Sequence, residues 1–485
     1  MHATASRRDF LKLTGAAGLG LFVPVPAAAW SRRTATRFGD PRAVTDAWAE
    51  AASILARIVP PSFPARDFDV TSYGAVGDGT RDCTAAFRAA IAACNAAGGG
   101  RVVVPAGSFL TGAIRLKSGV NLHLATEASV LRFSRDPRQY LPLVFSRWEG
   151  VELMNYSALI YAFEERNIAV TGTGTLDGQA GEEHWWPWKG RQESTAGSPN
   201  QNAARARLIE MGAKGVPVAD RVFGEGSCLR PNFVQPYRCQ NVLIDGVKIR
   251  NSPMWEIHPV LCTNVTVRGV DISSHGPNND GCDPESCKDV LIERCTFDTG
   301  DDCIAIKSGR NEDGRRVNVP AENIIVRDCT MKDGHGGVVI GSEISGGARY
   351  VFAERCRMDS PHLDRALRIK SNSVRGGTVE HVYMRDVNVG EVAEAVVTIN
   401  FFYEEGDAGK FPPIVRDVEV RNVTSRKSQY GLLLRGYAHD PVSDVRLVDC
   451  TFDGVEKPDV LEAVKDIVLT NVKVNGTARN ERITR

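Results

Sequence analysis

Apolar and polar residues alternate with the period of a β-strand through most of this chain. From residue 241 onward the alternation is organised into copies of one unit. The unit reads Asn or Asp, an aliphatic residue, any residue, an aliphatic residue, two polar or small residues, an apolar residue or Cys, a polar residue, then an apolar one. Copies begin at Asn241, Asn264, Asp289, Asn323, Tyr350, His381, Asp417, Asp444 and Asp466, with starts 22 to 36 residues apart. Asn167-Ile168-Ala169-Val170 is an earlier partial copy. A period of two predicts strands, not helices. A unit this short cannot bury its own apolar face, so successive copies must stack. Cys295, Cys329, Cys356 and Cys450 fall on the seventh position of their copies, the in-register column that an inward-pointing ladder of stacked strands produces. The pattern predicts an all-β chain, a single right-handed parallel β-helix of roughly ten coils with a short N-terminal helix and variable loops on one side. A propeller, the main rival, requires more regular units of about 40–50 residues.

The segments before the repeats carry helix signals. Residues 30–65 read as a basic linker plus one helix: Thr45 caps it, Trp48, Ala51, Ala52, Leu55 and Ile58 form its stripe, and Pro60-Pro61 ends it. Asp69 to Ala75 reads as a short strand and Gly77-Asp78-Gly79 as a turn. Asp82 then caps a helix running to about Ala97, with Phe87, Ala90, Ile91 and Cys94 on its inner face. Gly77 and Gly79 lack the lysine and the spacing of a phosphate-binding loop, so they are turn residues. Residues 182–234 interrupt the strands with Trp185, Trp186 and Trp188, His184 and Lys189, then a polar tract. This insertion reads equally as a loop flanking a groove or as an end-cover.

The first thirty residues read as an address. Ser6-Arg7-Arg8-Asp9-Phe10-Leu11-Lys12 matches a twin-arginine export signature, a mild apolar stretch follows from Leu13 to Val25, and Ala27-Ala28-Ala29 offers a cleavage site. The expected organisation is a signal peptide over 1–29, the linker and helix over 30–65, and a β-helix domain over 66–485. The expected destination is the bacterial periplasm or beyond, by way of the twin-arginine translocation machinery. The 59 basic and 59 acidic residues cancel, so no global field draws the chain to nucleic acid or an anionic membrane. No other stretch reaches about 18 consecutive apolar residues, so no membrane span is expected. The 12 cysteines lack metal-finger spacing, and cargo folded in a reducing cytosol has little need of disulfides. Buried, inert thiols are the expectation.

Polar chemistry concentrates in consecutive coils. Asn278-Asn279-Asp280-Gly281-Cys282-Asp283 is followed by Gly300-Asp301-Asp302-Cys303-Ile304, by Gly334-His335-Gly336 and by Arg368-Ile369-Lys370. Asp301 and His335 hold the same register in their copies, and stacked strands lie about 4.8 Å apart, so the two become neighbours in space. Arg368 and Lys370 share one face of an extended segment. Three carboxylates on one surface raise one another's pKa and cost stability unless a cation or a catalytic task uses them. A calcium site requires six to eight oxygen ligands, more than are evident. Glycoside hydrolysis requires one proton-bearing acid and one ionised base, and cations at 368 and 370 fit an anionic sugar. No metal or other cofactor is expected.

The order Asn-x-Asp-Gly, Gly-Asp-Asp, Gly-His-Gly and Arg-Ile-Lys, with Tyr73-Gly74-Ala75-x-Gly77-Asp78-Gly79 near the start, resembles the polygalacturonases of glycoside hydrolase family 28. The resemblance runs from about residue 67 to 475. It implies a parallel β-helix that hydrolyses α-1,4-galacturonan in pectin with inversion. Carried over, Asp301 is the general acid, and Asp280 and Asp302 activate the hydrolytic water. His335 tunes protonation or contacts the sugar, and Arg368 and Lys370 grip the galacturonate carboxylate. Asn278 holds substrate nearby, Tyr403 is a candidate to contact substrate, and His258 reads equally as facing the groove or as structural. Asn279 stands where the family usually has Thr. These roles call for a raised pKa at Asp301 and for acid and base about 6.5–9.5 Å apart. The rivals are a pectate lyase using calcium, a rhamnogalacturonan hydrolase, and a non-catalytic glycan-binding β-helix. The insertion at 182–234 leans the reading toward exo attack, by closing one end of the groove.

Overall fold

A computed structural model describes residues 41–190 and 199–485. The export signature, with residues 1–40, and the stretch 191–198 of the insertion lie outside the described residues. Residues 47–485 form one unit, a right-handed parallel β-helix. A first ladder of parallel strands runs from Asp67–Asp69 to Val464–Val474, with thirteen rungs among the described residues. A second ladder runs beside it from Asp78–Asp82 to Thr451–Phe452. The rungs beyond the ten read from the repeats lie at the N-terminal end, where Gly100–Val104 and Val120–Leu124 follow glycines in place of Asn or Asp.

The first residue of every repeat, from Asn167 and Asn241 to Asp466, is left-handed, with φ between 51° and 60°. Asn and Asp tolerate that region better than other side chains, which explains their recurrence. They also bond to one another along the stack: Asn241 Nδ2 donates to Asn167 Oδ1 at 2.8 Å, Asn264 Nδ2 to Asn241 Oδ1 at 2.8 Å, and Asn323 Nδ2 to Asp289 Oδ1 at 2.9 Å. Where Tyr350 and His381 replace them, the two rings stack at 4.7 Å. The sixth position is left-handed too, as Gly172, Gly246 and Gly269 and then Arg294, Asp328 and their successors. It turns the chain from the first ladder to the second, so the seventh residue points inward. Cys295, Cys329, Cys356 and Cys450 are buried there, and all 12 cysteines are free and buried.

The ends and one outer face are covered. Helix Thr84–Ala96 caps the N-terminal end with Phe87, Ala90, Ile91 and Cys94 buried, and Asp82 Oδ1 accepts the Thr84 N–H at 2.9 Å. The strand expected over 69–75 is only Asp67–Asp69. Asp69 accepts the Thr71 N–H at 2.8 Å and winds Val70–Tyr73 into a 3-10 turn instead. The first helix spans Pro41–Arg57, starting before Thr45, and its buried face carries Ile54, with Ala52 exposed. It packs on Leu291, Ile325, Phe352 and Tyr383, one outward column of the first ladder. Strand Thr477–Ile483 pairs antiparallel with Val464–Val474 and closes the last edge. Among the described residues no helix is long and apolar enough to cross a membrane.

The third face positions the site. Its rungs pass through Ile160–Phe163, Val234–Tyr237, single bridges at Ile257 and Cys282, then Ile304–Ile306, Val338–Ile340, Arg365–Lys370, Ala395–Asn400 and Tyr430–Arg435. Gln235, His258, Asp283, Ala305, Val339, Arg368 and Thr398 form one column along it. The early rungs lie under an antiparallel hairpin, Val144–Trp148 and Val151–Asn155. Ser146 Oγ donates to Gln235 Oε1 at 2.8 Å, and Arg147 pairs with Glu285 at 3.3 Å.

Candidate active site

Three successive turns leading into the third ladder deliver the acids and the imidazole. The first is shaped by Asn279, which is fully buried. Its Oδ1 accepts from Ser274 Oγ and Gly276 N at 2.7 Å each, and its Nδ2 donates to the carbonyls of Ser252 and Met254 at 3.0 and 3.1 Å. The residue that departs from the family pattern is therefore a saturated structural clamp. In the third turn a Cβ at Gly334 would stand 2.7 Å from the Asp301 carbonyl oxygen, so a glycine there lets His335 approach the coil below. The His335 N–H donates to Asp301 O at 3.1 Å.

Asp280, Asp301 and Asp302 each place a carboxylate oxygen within 4.8 Å of the others. Asp280 and Asp302 are buried, whereas the Asp301 side chain is 18% exposed and that of His335 47% exposed. Asp301 Oδ1 accepts from His335 Nδ1 at 3.0 Å and from the Asp302 N–H at 3.0 Å. Asp302 is gripped on both oxygens, by Lys370 Nζ at 2.6 Å and Arg368 Nη1 at 3.3 Å. The Tyr403 ring lies 5.2 Å from Lys370 Nζ and 5.7 Å from the Arg368 guanidinium carbon. Beyond them a cleft of about 290 Å³ opens, lined by Arg365, Arg368, Lys370, Asn400, Tyr403 and Arg435 among others.

Two other candidates behave differently. Asn278, half-buried and left-handed at φ 58°, gives its carbonyl oxygen to Arg230 Nη2 at 2.8 Å. His258 does not face the groove. It is fully buried under the hairpin, with Nε2 2.7 Å from Glu285 Oε2 and Nδ1 2.9 Å from Asn232 Nδ2. Its rung puts it on the outward column, and the hairpin that covers that column comes from elsewhere in the chain.

Sequence reasoning missed Lys307. Its Nζ lies 3.4 Å from Asp280 Oδ2, 3.6 Å from Asp283 Oδ2 and 3.3 Å from Glu343 Oε2, and 4.4 Å from the centre of the Trp255 ring. The signal was present: Ile304 and Ile306 alternate inward, so Lys307 shares the outward face with Asp302's partners.

The electrostatics correct one expectation. Burial, with Asp301 as its neighbour, pushes Asp280 up to about 8 against the pull of Lys307. Burial would also raise Asp301, but the His335 hydrogen bond, with Lys370 and Lys307 behind it, holds that carboxyl well below the usual range. The bond to Asp301 in turn raises His335. A hydrogen bond to the ionised form outweighs desolvation at the exposed acid, and nothing comparable protects the buried one. Asp280 and Asp301 are pulled in opposite directions, so the proton they share rests on Asp280. The spacing also differs from the expected 6.5–9.5 Å. A gap of at most 4.8 Å between oxygens has room for one water standing about 2.8 Å from each.

Two side-chain groups among the described residues have metal-like spacing. In the acid cluster an ion would have to displace Lys370 and Arg368 from Asp302 and Lys307 from Asp280. The other is His275, Asp298 and Asp333, where His275 Nε2 pairs with Asp298 at 3.0 Å and Ser360 Oγ donates to Asp333. It supplies three ligands, short of the set calcium needs.

Comparison with known proteins agrees with this geometry. The family described as "Glycosyl hydrolases family 28" matches residues 223–478, and "Rhamnogalacturonase A/epimerase, pectate lyase-like" matches residues 68–124. A probable polygalacturonase of Vitis vinifera is 28% identical over 80% of this chain and 74% of its own length. An exo-poly-alpha-D-galacturonosidase of Dickeya chrysanthemi is 28% identical over 74% of this chain and 62% of its own length. The crystal structure of a hyperthermoactive exopolygalacturonase from Thermotoga maritima superposes with a TM-score of 0.87 at 46% identity, over 90% of this chain and 98% of that one. The matched region carries every acid and cation of the cluster, and this chain belongs to family 28 of the glycosyl hydrolases.

Proposed function

We propose that this enzyme is an exo-acting polygalacturonase that hydrolyses α-1,4-galacturonosidic bonds with inversion. The observation that carries the reading is the three-acid cluster at the boundary between a covered and an open stretch of the third face. On one side lie the hairpin and the insertion. On the other lies the cationic cleft of Arg368, Lys370 and Arg435, suited to the carboxylates of a galacturonate chain. The exo- names of the Dickeya relative and the Thermotoga structure support the same mode.

Asp301 is the acid because it alone of the three is exposed enough to reach a glycosidic oxygen. Asp280 and Asp302 lie too deep to act as a covalent nucleophile, and Asp302 has both oxygens occupied. They hold a water instead. A sugar carboxylate arriving at Arg368 adds negative charge beside the acids, which raises Asp301 and draws the shared proton from Asp280. Asp301 then protonates the leaving oxygen while Asp280, now ionised, takes a proton from the attacking water. The cluster ends the step with the one proton it began with.

The pH dependence follows with its sign. Asp280 carries the shared proton with a pKa raised to about 8, so the reactive protonation state is complete below that value. It is lost as pH rises through it. The expected kcat/KM profile is flat from the mildly acidic range to neutrality and falls above about pH 8. A fall centred two units lower would contradict the shared-proton account.

The experiment that tests the function is digestion of polygalacturonate with product sizing. Free galacturonate alone at the earliest times is expected; a ladder of oligomers would reject exo action, and an unsaturated, ultraviolet-absorbing product would indicate a lyase. Export through the twin-arginine pathway belongs to the same proposal and is supported by Ser6 to Lys12.

A further inference from the structure

The covered end of the groove is held by a chain of ion pairs joining separate loops. Arg205, on the insertion helix Asn202–Ala213, donates from Nε to Glu149 Oε2 at 2.6 Å. Glu149 stands at the tip of the hairpin with a side chain only 8% exposed. Arg310, itself buried, reaches Glu149 at 3.3 Å, Glu343 at 3.5 Å and Glu404 at 3.2 Å. Arg375, fully buried, pairs with Glu404 and, at 2.9 Å, with Glu405. Glu404 and Glu405 directly follow Tyr403, whose ring lies beside Lys370.

Besides the Arg205–Glu149 pair, the insertion helix rests Ala204 and Met211 on a small apolar cluster, stacks Arg207 on the Phe223 ring at 4.4 Å and donates from Arg207 Nη2 to Val222 O at 3.2 Å. Its buried residues are Leu208 and Gly212, with Leu208 packed among Trp148, Val151 and Met254. The flanks of the insertion are fixed independently. Trp186 Nε1 donates to Ser252 O at 2.9 Å, and Arg221 Nη1 donates to Asp313 Oδ1 at 2.8 Å. A helix of twelve residues is marginal on its own, so its docking depends on the contacts it makes. Arg205 ties it to the rim through the part-buried bond to Glu149 and a longer pair with Glu404 at 3.9 Å.

We propose that Arg205 and Glu149 form a latch that keeps the insertion across the end of the groove, and that this latch sets exo against endo attack on a galacturonan chain. The inference rests on the exo reading above. Both are positioning residues, and neither meets the reacting bond. Opening the latch admits sugar units past the acid cluster, so internal bonds become cleavable.

The test compares Arg205→Ala, Glu149→Gln and Arg205→Lys with the wild type on polygalacturonate and on digalacturonate. Losing one charge-assisted bond raises the population with an open end by roughly ten- to a hundredfold. Di- and trigalacturonate are therefore expected among the first products of the Ala and Gln variants, increased by about that factor. The rate on digalacturonate stays at the wild-type value, and Arg205→Lys releases monomer alone. Monomer alone from Arg205→Ala, with amide exchange over 202–213 unchanged, overturns the latch. Arg205 is 30% exposed on the insertion helix, so this variant remains decisive if Glu149→Gln does not fold. A ladder from the wild type itself overturns the exo reading, a result distinct from failure of the latch.

Discussion

Replacing Asp301 by Asn is expected to lower kcat on polygalacturonate by roughly 10²–10⁴-fold, the usual loss of a positioned general acid. The amide keeps the size of the carboxyl and can still accept from His335 and from the Asp302 N–H, the two bonds that orient it. It cannot carry the proton to the leaving oxygen. Because the side chain lies at the rim of the cluster, the fold should be indifferent, and thermal melting should match the wild type. Turnover within a few-fold of wild type, in a protein that melts normally, would remove Asp301 from the chemistry.

The second large effect separates the two cations. Lys370 holds Asp302 at 2.6 Å, and that carboxylate is fully buried. Lys370→Ala strands a buried charge, a loss of about 3–5 kcal/mol, and should depress activity on galacturonan and on its methyl ester alike. Arg368 is partly exposed and stands farther from Asp302, at 3.3 Å. Arg368→Ala should therefore cost about 1.5–3 kcal/mol on the acid, one charge-assisted contact, and little on the ester. Steady-state kinetics on both polymers checks the pair. Equal ester sensitivity in the two variants would mean that Lys370 serves the sugar and not Asp302.

Much of this architecture was legible because a stacked solenoid writes its geometry into a linear repeat. The Asn or Asp that opens most copies marks a left-handed bend, and twelve residues on, Asp301 and His335 fall beside each other. The coils before residue 125 were less legible because glycines, Gly99 and Gly119, make the same bend. His258 reads either way from sequence for a different reason. Period-two patterning reports which face a residue joins, not which distant segment covers that face, and the hairpin around Glu149 lies about a hundred residues upstream. Lys307 was overlooked although its strand alternates clearly, since it sits outside the polar motifs. The protonation of Asp280 and Asp301 depended on burial and on one hydrogen bond, quantities that sequence spacing does not carry.

The central claim is that buried Asp280 and Asp302 direct water at a sugar whose leaving oxygen Asp301 protonates. Proton NMR of the first minutes of polygalacturonate digestion tests it most directly. Inversion at an α-linked sugar predicts that β-galacturonate appears first and mutarotates to the α form. Initial release of the α anomer would contradict the account, because it requires a covalent intermediate on a carboxylate that this structure keeps out of reach.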